Sequence, residues 1–129
     1  METLTDIINK LINIPVDFHR TGNKTWNTLL KESGYLENQD KVTVGKIEEA
    51  LRLHSNLIND WIQFSDDNRS TPAWVFGKGD SGKYRVAHYP EGKDFQEMVT
   101  FDRFKACAYF IMCKITSSAK NFELNRDDF

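Results

Sequence analysis

Residues 73–89 read AWVFGKGDSGKYRVAHY, and this stretch decides the fold class. Its two flanks are rich in β-branched and aromatic residues, which favour strands, and a Gly-rich centre joins them. We therefore predict a β-hairpin with strands at 73–77 and 83–89. Residues 95–99 are a candidate third strand, so the expected sheet is antiparallel with two or three strands.

The centre of the hairpin, GKGDSGK at 77–83, also matches the G-x-G-x-x-G pattern and falls one residue short of a P-loop. A P-loop requires Ser or Thr after its lysine, but Tyr84 follows Lys83. Both phosphate-binding motifs open a helix, whose N-terminal amides hold the phosphate. Because the residues that follow alternate as a strand, we interpret the motif as a hairpin turn and predict no nucleotide or other cofactor.

Apolar residues spaced by three and four predict four helices, at about 4–12, 26–33, 44–64 and 101–117. Pro15 is expected to end the first helix, and Thr100 to cap the last. The third helix, capped by Thr43, would span about 30 Å and form the central scaffold. The predicted fold class is therefore α+β, with four helices, one of them long and central, packed on a small antiparallel sheet.

The 129 residues contain no linker or repeat and predict a single domain over 1–129, with a polar, acidic tail that frays from about residue 121. The 17 Lys and Arg and the 19 Asp and Glu are interspersed, which argues against a nucleic-acid partner. No apolar run approaches membrane-spanning length, and the first residues form an amphipathic pattern and not a signal peptide. We expect a cytoplasmic protein that makes no membrane contact.

Catalytic and metal-binding patterns are sparse. The three histidines, His19, His54 and His88, lie far apart and outside any ligand motif, so no metal site is predicted. Asp66 and Asp67 are adjacent carboxylates, and with His88 they would form the acid–base site of a small hydrolase or transferase if the fold brought them together. The alternative is that they make Asx-turns in a polar loop.

Residues 61–76 read WIQFSDDNRSTPAWVF, so two tryptophans bracket a charged loop. Trp61 and Trp74 each lie in a periodic element, where burial in the core is the simpler interpretation. The alternative is a recognition patch, because Trp and Arg dominate binding hot spots.

The chain resembles small bacterial immunity proteins of contact-dependent toxin systems over about residues 46–114. The resemblance rests on Trp61, Phe64-Ser65-x-Asp67-x-Arg69-x-Thr71 and Trp74-x-Phe76, preceded by a capped helix with Ala50-Leu51 and His54 and followed by Ala106-Cys107-Ala108. It implies a cytoplasmic, non-enzymatic protein that binds and neutralises one cognate toxin domain. The resemblance assigns no binding residue.

For such a binding protein we place the partner contacts on the loop residues Asp66, Asp67 and Arg69, with Asp80 and Lys83 of the hairpin turn beside them. A regulatory subunit of a larger assembly is a further alternative. The sequence thus predicts a protein partner, and no reaction follows from it directly.

Overall fold

The structure, a computed structural model, describes residues 3–67, 73–79, 81–89 and 97–126. Within these ranges the chain forms six helices and three strands. Their bounds are α1 Leu4–Ile12, α2 Ile14–Thr21, α3 Trp26–Ser33, α4 Val44–Leu53, α5 Leu57–Asp67, β1 Ala73–Lys78, β2 Tyr84–Tyr89, β3 Glu97–Thr100 and α6 Arg103–Arg126. The predicted α+β class and antiparallel sheet are confirmed, whereas the predicted number of helices is wrong.

The predicted long central helix is two helices, because the chain leaves helical geometry at His54. The N–H of His54 donates to the Leu51 carbonyl, and the His54 carbonyl accepts from Leu57 as the next helix begins. Ser55 and Asn56, between the two helices, are residue types whose side chains compete with the helical backbone. The apolar spacing continues across the break since both helices face the same core.

The first predicted helix is also followed by a second one, α2. Pro15 does not end the helical structure but lies in the first turn of α2. A backbone N–H at that position has no intrahelical acceptor, so proline loses no hydrogen bond there. The interruption falls instead at Asn13, whose side-chain amide donates to the Asn9 carbonyl at 2.8 Å. Gly22, with a φ of 67°, ends α2 in left-handed geometry.

The strands are arranged in the order β1-β2-β3, and both pairs are antiparallel. Phe76, Val86 and Met98 are cross-strand neighbours, and the first two are fully buried. Their side chains define an inner face, on which the Phe76 ring stacks against Phe110 of α6 at 5.5 Å. The hairpin prediction is confirmed, and the third strand lies at 97–100. Phe95, where we predicted it to begin, is outside the described residues.

The last helix, α6, is the true central element. Its 24 residues rise over about 36 Å, and it contacts α4, α5 and all three strands. It begins later than predicted and extends past Ser117. Asp102, and not Thr100, accepts hydrogen bonds from the N–H groups of its first turn. The predicted fraying of the tail from about residue 121 stays a prediction.

A cluster of aromatic rings joins the helices to the sheet. The Trp61 ring makes edge-to-face contacts with Trp26, Phe64 and Phe110 at centroid distances of 5.8–6.2 Å. Its indole N–H donates to the Ile12 carbonyl at 2.9 Å, between α1 and α2. Trp61 is therefore a core residue, as its place in a periodic helix suggested.

Candidate functional site

Of the five predicted partner contacts, the structure describes the side chains of Asp66 and Lys83. Asp66 is exposed in the last turn of α5, and Asp67 ends that helix. Lys83 is exposed at the end of the hairpin turn. Arg69 and Asp80 lie outside the described residues, so their predicted roles remain predictions.

The contacts beside Asp66 and at Lys83 lie at different edges of the sheet. The neighbour of Asp66, Ser65, reaches the edge of β1, where its hydroxyl accepts from the Phe76 N–H at 2.9 Å. The Lys83 ammonium instead lies 5.3 Å from the ring centre of Phe101, just beyond β3. Since strands are spaced about 4.8 Å apart, the two edges of this sheet are about 10 Å apart.

The local geometry of the hairpin turn positions Lys83. The N–H of Gly79 donates to the Lys83 carbonyl at 2.8 Å, and the N–H of Gly82 donates to the Gly79 carbonyl at 3.1 Å. Gly82 has a φ of 84°, a conformation that favours glycine. A strand follows the glycines, which confirms the turn interpretation of the phosphate-like motif.

An exposed surface surrounds Lys83 at this end of the sheet. Phe101 and Val99 are 69% and 47% exposed, which is high for large apolar side chains. Arg85, opposite Val99 in the ladder, donates from its Nε to the Glu97 carboxylate. We call Lys83, Arg85, Glu97, Val99 and Phe101 the hairpin-end surface.

The hairpin-end surface has the chemistry of a protein contact. Aromatic and arginine side chains carry a disproportionate share of binding energy at interfaces. A lysine over an exposed ring also holds that ring in a defined position through a cation–π contact. Among the described carboxylates, none pairs with Lys83, whose ammonium is left to attract a negative group.

Sequence reasoning missed Phe101 because the last helix was predicted to begin at that residue, with Thr100 as its cap. Asp102 caps that helix, so Phe101 precedes the cap and projects from the strand end. An acidic residue just before a run of helical apolar spacing is a capping signal, so Asp102 could have been recognised in the sequence as the cap of the last helix.

Of the residues of the enzyme alternative, the structure describes the side chains of His88 and Asp66. His88 is cross-strand from Trp74, with the two ring centres 5.2 Å apart. Asp66 follows the serine that binds β1, and the side chain of Asp67 is outside the described part. In the described ranges no three His, Cys, Asp or Glu side chains converge as metal ligands. Cooperation of His88 with the two carboxylates stays a hypothesis.

A second surface is the groove between α1 and α4, with a volume of about 370 Å³. Its floor includes Leu4, Ile8 and Ala50, and Leu53, which is 81% exposed, lies at its end. Lys46 and Glu49 flank the groove with opposite charges, so the groove favours no particular sign of partner.

Lys114 of α6 is a cation held among aromatic rings. Its ammonium lies 4.8 Å from the ring centre of Trp26 and 5.6 Å from that of Phe64. Desolvation by burial lowers the pKa of Lys114 below its ordinary value of 10.5. The charged form therefore costs the folded state free energy at neutral pH.

Lys114→Met is expected to raise the free energy of unfolding at pH 7 by up to about 1 kcal/mol, because methionine keeps the ring contacts without a charge. A pKa lowered on folding means that the unfolded chain binds more protons between the two pKa values, so wild-type stability rises with pH through that window. Urea unfolding at increasing pH should show the variant's advantage shrinking towards pH 10.5. A variant that is less stable than wild type at pH 7 would contradict this account.

In the part of the chain that the structure describes, no helix has both the length and the apolar character to cross a membrane. Comparison of the chain with protein-family models, with curated proteins and with solved structures gave no match in any of the three.

Proposed function

We propose that this chain is a stoichiometric protein-binding protein, and specifically an immunity protein that neutralises a cognate bacterial toxin domain. The observation that carries the proposal is the hairpin-end surface, where Phe101 and Val99 are exposed beside two cations. The resemblance over residues 46–114 supplies the class of partner.

Neutralisation by such a protein requires complementary shape and charge over about 800 Å² on each partner. Phe101 would be the central anchor, since an exposed ring loses the most water on binding. Lys83 and Arg85 would face acidic groups of the toxin and speed the encounter at low salt. The chain then acts by occupying the toxin and performs no reaction.

The proposal predicts that a toxin domain is encoded beside this chain in its source genome, and that domain is the partner to test. Co-expression should protect cells from that toxin, and the purified proteins should form a tight one-to-one complex by calorimetry. Phe101→Glu is expected to weaken the complex roughly thirtyfold, the effect of about 2 kcal/mol at a hot spot.

The matched control is Val44→Glu. Val44 is 44% exposed, and its site in the first turn of α4 accepts a negative charge. It lies about 12 Å along the helix from Arg52, which binds Asp102 beside Phe101. Toxin that binds both variants equally would place the contact elsewhere, and toxin that binds neither variant nor wild type would remove the proposed function.

A further inference from the structure

The backbone of β3 has hydrogen-bonding groups directed away from the sheet. The bond from Gly79 to Lys83 fixes the phase of the β1–β2 ladder, so Tyr84 and Val86 direct their backbone groups towards β3. Met98 and Thr100 of β3 are the register partners of Val86 and Tyr84, so their backbone groups form the hydrogen bonds with β2. The N–H and C=O of Glu97 and Val99, the alternate residues of β3, therefore face outwards.

The two edges of the sheet are treated differently. At β1, the Ser65 hydroxyl of α5 accepts from the outward N–H of Phe76. At β3, no strand of the described residues pairs on the far side. Strand edges are commonly protected by proline, by charged residues or by a bulge. Residues 97–100 read EMVT and contain no proline, and their one charged side chain, Glu97, already accepts from Arg85.

We infer that β3 pairs with β3 of a second copy of this chain, antiparallel about a twofold axis at Val99. The N–H and C=O of Val99 in each molecule then bond to those of Val99 in the other, and the two sheets become one of six strands. This register sets Glu97 opposite Phe101 and Met98 opposite Thr100. The exposed Val99 side chains meet at the axis, where each covers the other.

Charge supports this register. Lys83 lies over Phe101, and none of the described carboxylates forms an ion pair with it. Glu97 of the second copy arrives opposite that ring and brings a carboxylate to the ammonium. In each copy Glu97 already accepts a hydrogen bond from Arg85 of its own chain. Across the junction, Lys83 and Phe101 of one copy are therefore followed by Glu97 and Arg85 of the other. No two like charges are directly opposed.

The paired segment is only about five residues long, which is small compared with stable dimer interfaces. We therefore expect a dimer that dissociates on dilution. The inference is independent of the proposed function. Because it covers Val99 and Phe101, a toxin bound to the hairpin-end surface must displace the second copy.

Sedimentation velocity of the purified wild-type protein from micromolar to submillimolar concentration should show a rise from 15.0 kDa towards twice that mass. Val99→Pro removes only the outward N–H, which an edge strand tolerates, and should keep the protein monomeric throughout. Val99→Lys retains strand geometry but places like charges at the axis, and it should do the same. Circular dichroism confirms that both variants remain folded.

Hydrogen exchange gives a readout that needs no variant. The Val99 amide should exchange more slowly as protein concentration rises, whereas the Met98 amide, bonded within its own chain, should be unaffected by concentration. A monomer at every concentration would overturn the inference. So would a dimer that persists in Val99→Pro and Val99→Lys and leaves Val99 exchange unchanged.

Discussion

Trp61→Ala is expected to lower the free energy of unfolding by about 3–5 kcal/mol, enough to unfold much of a typical domain of this size. The side chain is fully buried, and its ring contacts three other aromatic residues. Truncation leaves a cavity at the meeting point of four helices and also leaves the Ile12 carbonyl without its donor. Urea unfolding followed by circular dichroism measures the loss.

Two conservative variants separate the contributions of packing and hydrogen bonding. Trp61→Phe retains most of the ring but leaves the Ile12 carbonyl unsatisfied, so a loss of about 1–3 kcal/mol is expected. Trp26→Phe removes a comparable indole whose N–H binds Ser118 at a half-buried site, where water can replace it. Trp26→Phe should therefore lower the free energy of unfolding by less than Trp61→Phe does. Equal losses at the two positions would mean that the buried carbonyl contributes nothing.

Asp102→Ala is expected to lower the free energy of unfolding by about 2 kcal/mol at pH 7, because this side chain has two roles. Its Oδ1 accepts from the N–H groups of Phe104 and Lys105 and so caps α6. Its Oδ2 binds Arg52 at 3.1 Å and ties α4 to the same point. Asp102→Asn keeps the cap without the charge, and its loss should stay below about 1 kcal/mol.

The contribution of Asp102 also depends on pH. Burial acts to raise the pKa of this carboxyl, but hydrogen bonds from the Lys105 and Phe104 amides and the charge of Arg52 outweigh it, so the folded-state pKa lies below 3.8. The unfolded chain then binds more protons between the two values, and stability falls as pH drops through that window. The gap between wild type and Asp102→Asn should be constant at neutral pH and close below about pH 4. A gap that persisted in acid would exclude the ionic contribution.

The features that the sequence predicted correctly are local ones. Alternation on both sides of a glycine-rich turn was enough to identify the hairpin, and period-three and period-four spacing located most helices. The break at His54 was missed since it contains neither proline nor glycine and the apolar period continues across it. At Pro15 we predicted only a helix end, but a new helix begins there, because proline is acceptable in the first turn of a helix although it disrupts the interior.

The hairpin-end surface was only partly predictable. Lys83 was identified, but its neighbours Phe101 and Val99 became visible only when β3 paired with β2 and Asp102 began the last helix. At the opposite edge, one contact joins Ser65 to Phe76 across a helix–strand junction. Such contacts between separate elements follow from packing, which no local pattern encodes.

The Ser65 hydroxyl has a consequence for the size of any assembly. A sheet with two open edges can add chains at both sides without limit, which is the geometry of a fibre. Here α5 packs against β1 and its Ser65 hydroxyl accepts from the outward N–H of Phe76, whereas the inferred pairing uses the opposite edge. In the inferred pair both remaining edges carry this contact with α5, which favours a closed pair over continued addition.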